Sequence, residues 1–137
     1  MLLQIIVVVL GLSTCLGKMP YTNQIPNGHS VPNPCIPGTL WAGVGHTSPA
    51  GGGNKNLFGW AFADHGHTWT AALCGEDTDG DGMTNGEELG DPGCVWTVGD
   101  TPTHAATHHP GICDPVTLTE CMHKNSDWEI DCYLAMY

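Results

Sequence analysis

Positive charge is nearly missing from this sequence. Lys18, Lys55 and Lys124 are its only lysines and there is no arginine, against fourteen acidic residues and a formal net charge of −11. A chain so poor in cations cannot neutralise a run of phosphates, which excludes nucleic acid as a partner. The same deficit argues against anionic membrane surfaces. Long apolar runs are also scarce: after residue 17 none approaches the length of a membrane span. No segment sustains helical or strand periodicity. The 19 glycines and 10 prolines punctuate the chain every few residues, so long elements are not expected. Enzyme signatures are missing too. Neither HExxH nor GxSxG occurs, and Gly51–Asn56 lacks the Gly-Lys-Ser/Thr ending of a phosphate loop. Paired carboxylates of the kind a glycosidase uses are present, but their spacing points to a different chemistry, described below.

What is present begins with an apolar run, Leu2 to Leu12, followed by small residues ending at Gly17. This reads as a secretory signal peptide over residues 1–17, without the basic residue usual before the run. One domain, residues 18–137, would remain, outside the cell. Six cysteines fall within it: Cys35, Cys74, Cys94, Cys113, Cys121 and Cys132. An even number in a small exported chain predicts a disulfide framework.

Acidity is concentrated, with seven of the fourteen acidic residues lying between Glu76 and Asp91. Within that stretch, Asp77 to Glu88 fits D-x-[DN]-x-[DN]-G-x5-E, a calcium loop. Calcium takes about six to eight oxygens in flexible geometry. The alternate carboxylates of Asp77, Asp79 and Asp81 would converge on it while Gly82 permits the sharp turn. Met83 would offer its carbonyl, Asn85 a direct or water-mediated contact, and Glu88 both carboxylate oxygens. Gly90, Asp91 and Pro92 end any exiting helix almost at once, so a lone EF-hand-like loop is expected rather than a full EF-hand. Cys74 and Cys94 bracket the loop, and a bond between them would close its ends. Cys35 is expected to tie the entry segment to one of Cys113, Cys121 or Cys132.

Eight histidines are many for this length. His46, His65, His67 and His109 form a candidate second site, for copper or zinc, with His65 and His67 sharing one face of a strand. The fold class these features predict is a small, disulfide-rich, irregular α+β domain, with short helices and strands around the calcium loop. Lys18–Pro37 reads as an extended entry segment and Thr39–Val44 as a short strand. Ser48–Asn56 and Thr97–His109 read as loops. Phe62–Cys74 reads as helical with Thr68 as a cap, Asn85–Leu89 as a helical turn, and Glu120–Tyr137 as a helical tail. Trp41, Trp60, Trp69, Trp96 and Trp128, with Phe58 and Phe62, are expected to form most of the core.

Several stretches together carry a family resemblance. They are Asn23–Gly28, Gly43–His46, Gly51–Gly53, Phe58-Gly59, Trp69-Thr70, Leu73-Cys74, the loop Asp77–Glu88, Leu89–Pro92, Cys94, Trp96, His109–Gly111 and Cys113-Asp114. Residues 18–115 resemble the temptin family, water-borne attractant proteins of marine and freshwater molluscs; the tail, 116–137, matches least. The resemblance implies a secreted, non-enzymatic pheromone acting with other secreted peptides or proteins such as attractin, and with a receptor that the sequence does not name. It also leaves two other readings. One is a copper or zinc metalloprotein, because temptin-like domains resemble parts attached to copper monooxygenases. The other is a structural protein of egg mass or extracellular matrix.

Overall fold

The computed structural model describes residues 20–130 and 132; the expected signal peptide lies outside them. Regular structure is sparse and short. A 3-10 turn, Tyr21–Gln24, precedes four helices: α1 Leu57–Asp64, α2 Ala71–Gly75, α3 Asn85–Leu89 and α4 Thr119–Asp127. Among the described residues, pairing outside helices is limited to two isolated antiparallel bridges, Pro32 with Leu40 and His46 with Lys55. The strand expected over Thr39–Val44 is therefore reduced to the single bridge at Leu40. Helical turns and irregular backbone, fixed by polar side chains and three disulfides, replace the strands anticipated in an α+β domain.

Two of those side chains act as hubs. Asn56 is fully buried and caps α1 by accepting from Gly59 N, while its amide donates to the Val44 and His46 carbonyls at 2.9 Å each. Asn125, on α4, accepts from Cys113 N and donates back to Cys113 O. Each hub lets irregular backbone run through the interior with its polar groups satisfied.

The disulfides join Cys74 to Cys94, Cys113 to Cys121, and Cys35 to Cys132. The entry segment is thus tied to the end of the tail, 97 residues away. From residue 20 onward that segment is not extended. It folds into turns around Asn27, whose φ is 53°, and whose amide donates to the Leu89 and His104 carbonyls. The helix expected over Phe62–Cys74 is broken. Gly66 and His67 both take positive φ, separating α1 from α2. Thr70 rather than Thr68 caps α2, accepting from Leu73 N at 3.0 Å. The tail helix stops at Asp127, and Cys132 lies beyond it.

The core is more aliphatic than the aromatic count suggests. Ile25, Val31, Val44, Phe58, Phe62, Leu73 and Leu89 form its main cluster, and Trp41, Ile112, Ile130 and Cys35 a second. Only Trp41 among the five tryptophans is buried; Trp60 is 50% exposed and Trp128 37%. Trp69 and Trp96 are half-buried. An indole N–H needs an acceptor, and those of Trp69 and Trp96 find theirs at Asp91 Oδ2, itself fully buried, and at Asp100 O near the surface.

Candidate functional site

The acidic loop leaves the end of α2 and enters α3, and these two helices pack together. Gly86 on α3 makes the approach possible, because a Cβ there would land on the sulfur of Cys74. Within the loop, backbone N–H groups orient the carboxylates. Asp77 Oδ1 accepts from Gly80 N at 2.8 Å and Asp81 N at 3.2 Å, and its Oδ2 from Gly82 N at 2.9 Å. Asp79 Oδ1 accepts from Asp81 N, and Asp81 Oδ1 from Met83 N. Gly80 and Gly82 take φ of 71° and 100°, values that favour glycine and turn the chain back on itself. As a result, one oxygen from each of Asp77, Asp79 and Asp81 lies within 4.8 Å of the others.

Thr84 starts α3 with a capping box: its hydroxyl accepts from Glu87 N, and Glu87 reaches back to Thr84 N. Glu88 is completely buried, and neither carboxylate oxygen has a hydrogen-bond partner. Asp79 is 2% exposed and its Oδ2 is likewise unpartnered. Burial raises Glu88 first, then repulsion from Asp79, Asp81, Asp77 and Asp114, pushing it up to about 10. Burial and the neighbouring Asp81 charge push Asp79 up to about 8. Buried carboxylate oxygens without partners are costly unless a cation or a proton meets them. A cluster made only of oxygens suits a hard cation such as calcium, which tolerates irregular geometry.

Two of the expected ligands are not carboxylates. The Asn85 amide is committed within the protein: Oδ1 accepts from the Thr78 hydroxyl at 2.8 Å, and Nδ2 donates to Leu73 O at 2.7 Å. Met83 is half-buried and follows Asp81 in the turn. One acidic residue was missed by the local pattern. Asp114, 33 positions after Asp81, donates its N–H to Asp81 Oδ2 at 3.4 Å, and its charge bears on Glu88. The segment carrying it is held against the loop by a hydrogen bond from the Thr78 hydroxyl to the Pro110 carbonyl. Lys124 of α4 also reaches the loop, donating to the Gly80 carbonyl while pairing with Glu120 at 2.8 Å.

The four candidate histidines do not converge on one point among the described residues. His65 bridges Glu76 at 2.8 Å and Thr70 at 3.1 Å, as a helix end rather than part of a strand. His67 stacks on Tyr21 with ring centroids 4.4 Å apart. His46 sits at the bridge to Lys55. His109 is fully buried against the edge of Trp41, and its Nδ1 accepts from Gly111 N at 3.0 Å. Burial lowers its pKa to about 3, so it is neutral. Among the described residues, the one grouping of three or more metal-ligating side chains is Asp77, Asp79 and Asp81.

The Temptin C-terminal family model matches residues 15–112. Temptin of Aplysia californica is 49% identical over 100 residues, covering 72% of this chain and 79% of that protein. No solved structure matches the chain.

Proposed function

The chain belongs to the temptin family, and on that premise we propose that it is a secreted attractant acting by surface recognition, its fold completed by calcium in the loop Asp77–Glu88. The observation that carries this reading is the 49% identity to Aplysia temptin over most of both chains. Three disulfides suit an oxidising, extracellular setting. No helix among the described residues is long and apolar enough to cross a membrane. The unpartnered oxygens of Glu88 and Asp79 support the ion. Its ligands would be Asp77, Asp79, Asp81, Glu88 and the Met83 carbonyl, and it would act as a structural clamp. Loops Gly43–Lys55 and Gly99–His109, carried on that rigid frame, would present the contacts for a receptor and for a second secreted peptide of the attractin kind.

The test is behavioural and chemical together. Mature protein is released in water, alone and with a secreted attractant peptide, and the approach of conspecific animals is scored. The peptide is weighed by mass spectrometry before and after. Attraction with the peptide unchanged is the expected result. Conversion of the peptide, or no approach under either condition, overturns the reading.

A further inference from the structure

A cavity of about 330 Å³ lies apart from the acidic loop, between the 3-10 turn, the segment 42–46 and α1. Its walls are apolar, with Tyr21, Ile25, Val44, Phe58 and Phe62 contributing most of the side-chain lining. Close backbone crossings hold those walls in place. A Cβ on Gly59 of α1 would land on the Gly45 carbonyl, and one on Gly43 would land on the Gly51 backbone. A volume of this order is typical of small-molecule sites.

The polar lining holds no acidic side chain. Lys55, His46, His67 and Thr22 border the cavity, and none of the acidic residues among the described residues does. In a protein of net charge −11 with three lysines, that local inversion is a specific feature. Lys55 is half-buried, with its ammonium 4.6 Å from the centre of the Trp60 ring. Among the described residues it has no carboxylate within 4.0 Å. The Nδ1 atom of His46 is buried without a partner. A cation and an unpaired imidazole nitrogen beside an aromatic and aliphatic wall call for a ligand with a hydrocarbon body and one negatively charged head.

We propose that this cavity binds a small organic anion, an apolar carboxylic acid, with its carboxylate at Lys55 and its hydrocarbon against Phe58 and Phe62. The cavity shares no residue with the acidic loop, so failure of this proposal leaves the calcium reading standing.

The test is titration calorimetry of the full mature protein in calcium, using decanoate and decanol as a matched charged and neutral pair. Decanoate is expected to bind saturably and more tightly than decanol. Lys55→Gln should weaken decanoate about tenfold, the size of one charge-assisted contact, and leave decanol unchanged. Ala42→Trp, which places a large ring at an exposed lining position, should remove binding of both. No saturable binding of decanoate overturns the proposal. So does equal or tighter binding of decanol, or decanoate affinity unaffected by Lys55→Gln. Should the tryptophan variant fail to fold, the lysine variant still decides.

Discussion

Replacing Glu88 with glutamine should reverse the order of stability between the variant and the natural protein, depending on whether calcium is present. In the ion-free protein Glu88 is buried among like charges and is pushed up to about 10 from an ordinary value of 4.5. At pH 7 it therefore folds in its protonated form, whereas the unfolded chain has it ionised. Taking up that proton at pH 7 spans about 2.5 pH units, at roughly 1.36 kcal/mol each, or about 3 kcal/mol. Glutamine carries no such cost. In chelator at pH 7, Glu88→Gln should thus be the more stable protein by up to about 3 kcal/mol.

The sign follows from linkage. A carboxyl raised in the folded state contributes stability that is fully present below its unfolded pKa and is lost as pH climbs toward the folded one. The two proteins should converge near pH 4.5 in chelator and separate toward pH 8. In calcium the order inverts. Ion binding to the native state alone, at about a thousandfold over Kd, stabilises the natural protein by about 4.1 kcal/mol, more than the deficit of about 3 kcal/mol. For a domain of this size that is roughly a 15 °C rise in Tm, and the variant should show almost none of it. Circular dichroism melts at several pH values, with calcium or with chelator, read all of this. Equal Tm with and without calcium refutes the ion. A variant less stable than the natural protein in chelator refutes the account of Glu88 as an uncompensated buried carboxyl.

Three further outcomes are expected. Cys35→Ser with Cys132→Ser opens a loop of 97 residues and should cost about 5 kcal/mol, read by chemical denaturation, while leaving the calcium shift in Tm; loss of that shift would contradict the separation of the two devices. Asp91→Ala leaves the Trp69 indole and the N–H groups of Val95 and Trp96 without their acceptor, and a loss of about 3 kcal/mol with altered near-ultraviolet tryptophan dichroism should follow; a loss under 1 kcal/mol would show that water replaces the carboxylate. His109 is held neutral by burial, with its pKa lowered to about 3 from 6.5, so the unfolded chain takes a proton that the native protein refuses and stability falls as pH drops below about 6.5. His109→Gln should flatten the slope of stability against pH between 4.5 and 6 by about one proton, and an unchanged slope would show that the buried imidazole is not its source.

The parts of the fold that were legible in sequence are those encoded within about a dozen residues. Alternate aspartates with glycines between them specify a loop that turns on itself, and Asn85–Leu89 forms the helix its position suggests. The capping box of Thr84 and Glu87 was equally local and could have been found from its Thr-x-x-Glu spacing. What could not be read is set by long-range contacts. The break between α1 and α2 depends on His67 taking positive φ while stacking on Tyr21, 46 positions earlier. Counting tryptophans overstated the aromatic core: Trp41 alone is buried, its indole N–H 3.2 Å from the Gly43 and His46 carbonyls, and the other four lie at the boundary or the surface. Leu73, Leu89 and Ile112 fill the centre instead, with no polar atom to place.

Asn85 joins the loop pattern to the rest of the fold. The loop spacing puts it at a ligand position, and both ends of its amide also meet the scaffold, at Thr78 and at the Leu73 carbonyl. Thr78 Oγ1 lies against the Pro110 carbonyl as well, so its one proton is shared between the two oxygens and the same side chain that meets Asn85 draws the segment 110–114 alongside. That segment carries Asp114, whose N–H meets Asp81 and whose charge bears on Glu88. A twelve-residue motif can specify the carboxylates of a loop, but not which neighbouring chain lies across it. Here the crossing segment is held by the Cys113–Cys121 disulfide and by Asn125 of α4. The electrostatics of the acidic loop therefore depend on how the tail folds, the region of the chain least like the family pattern.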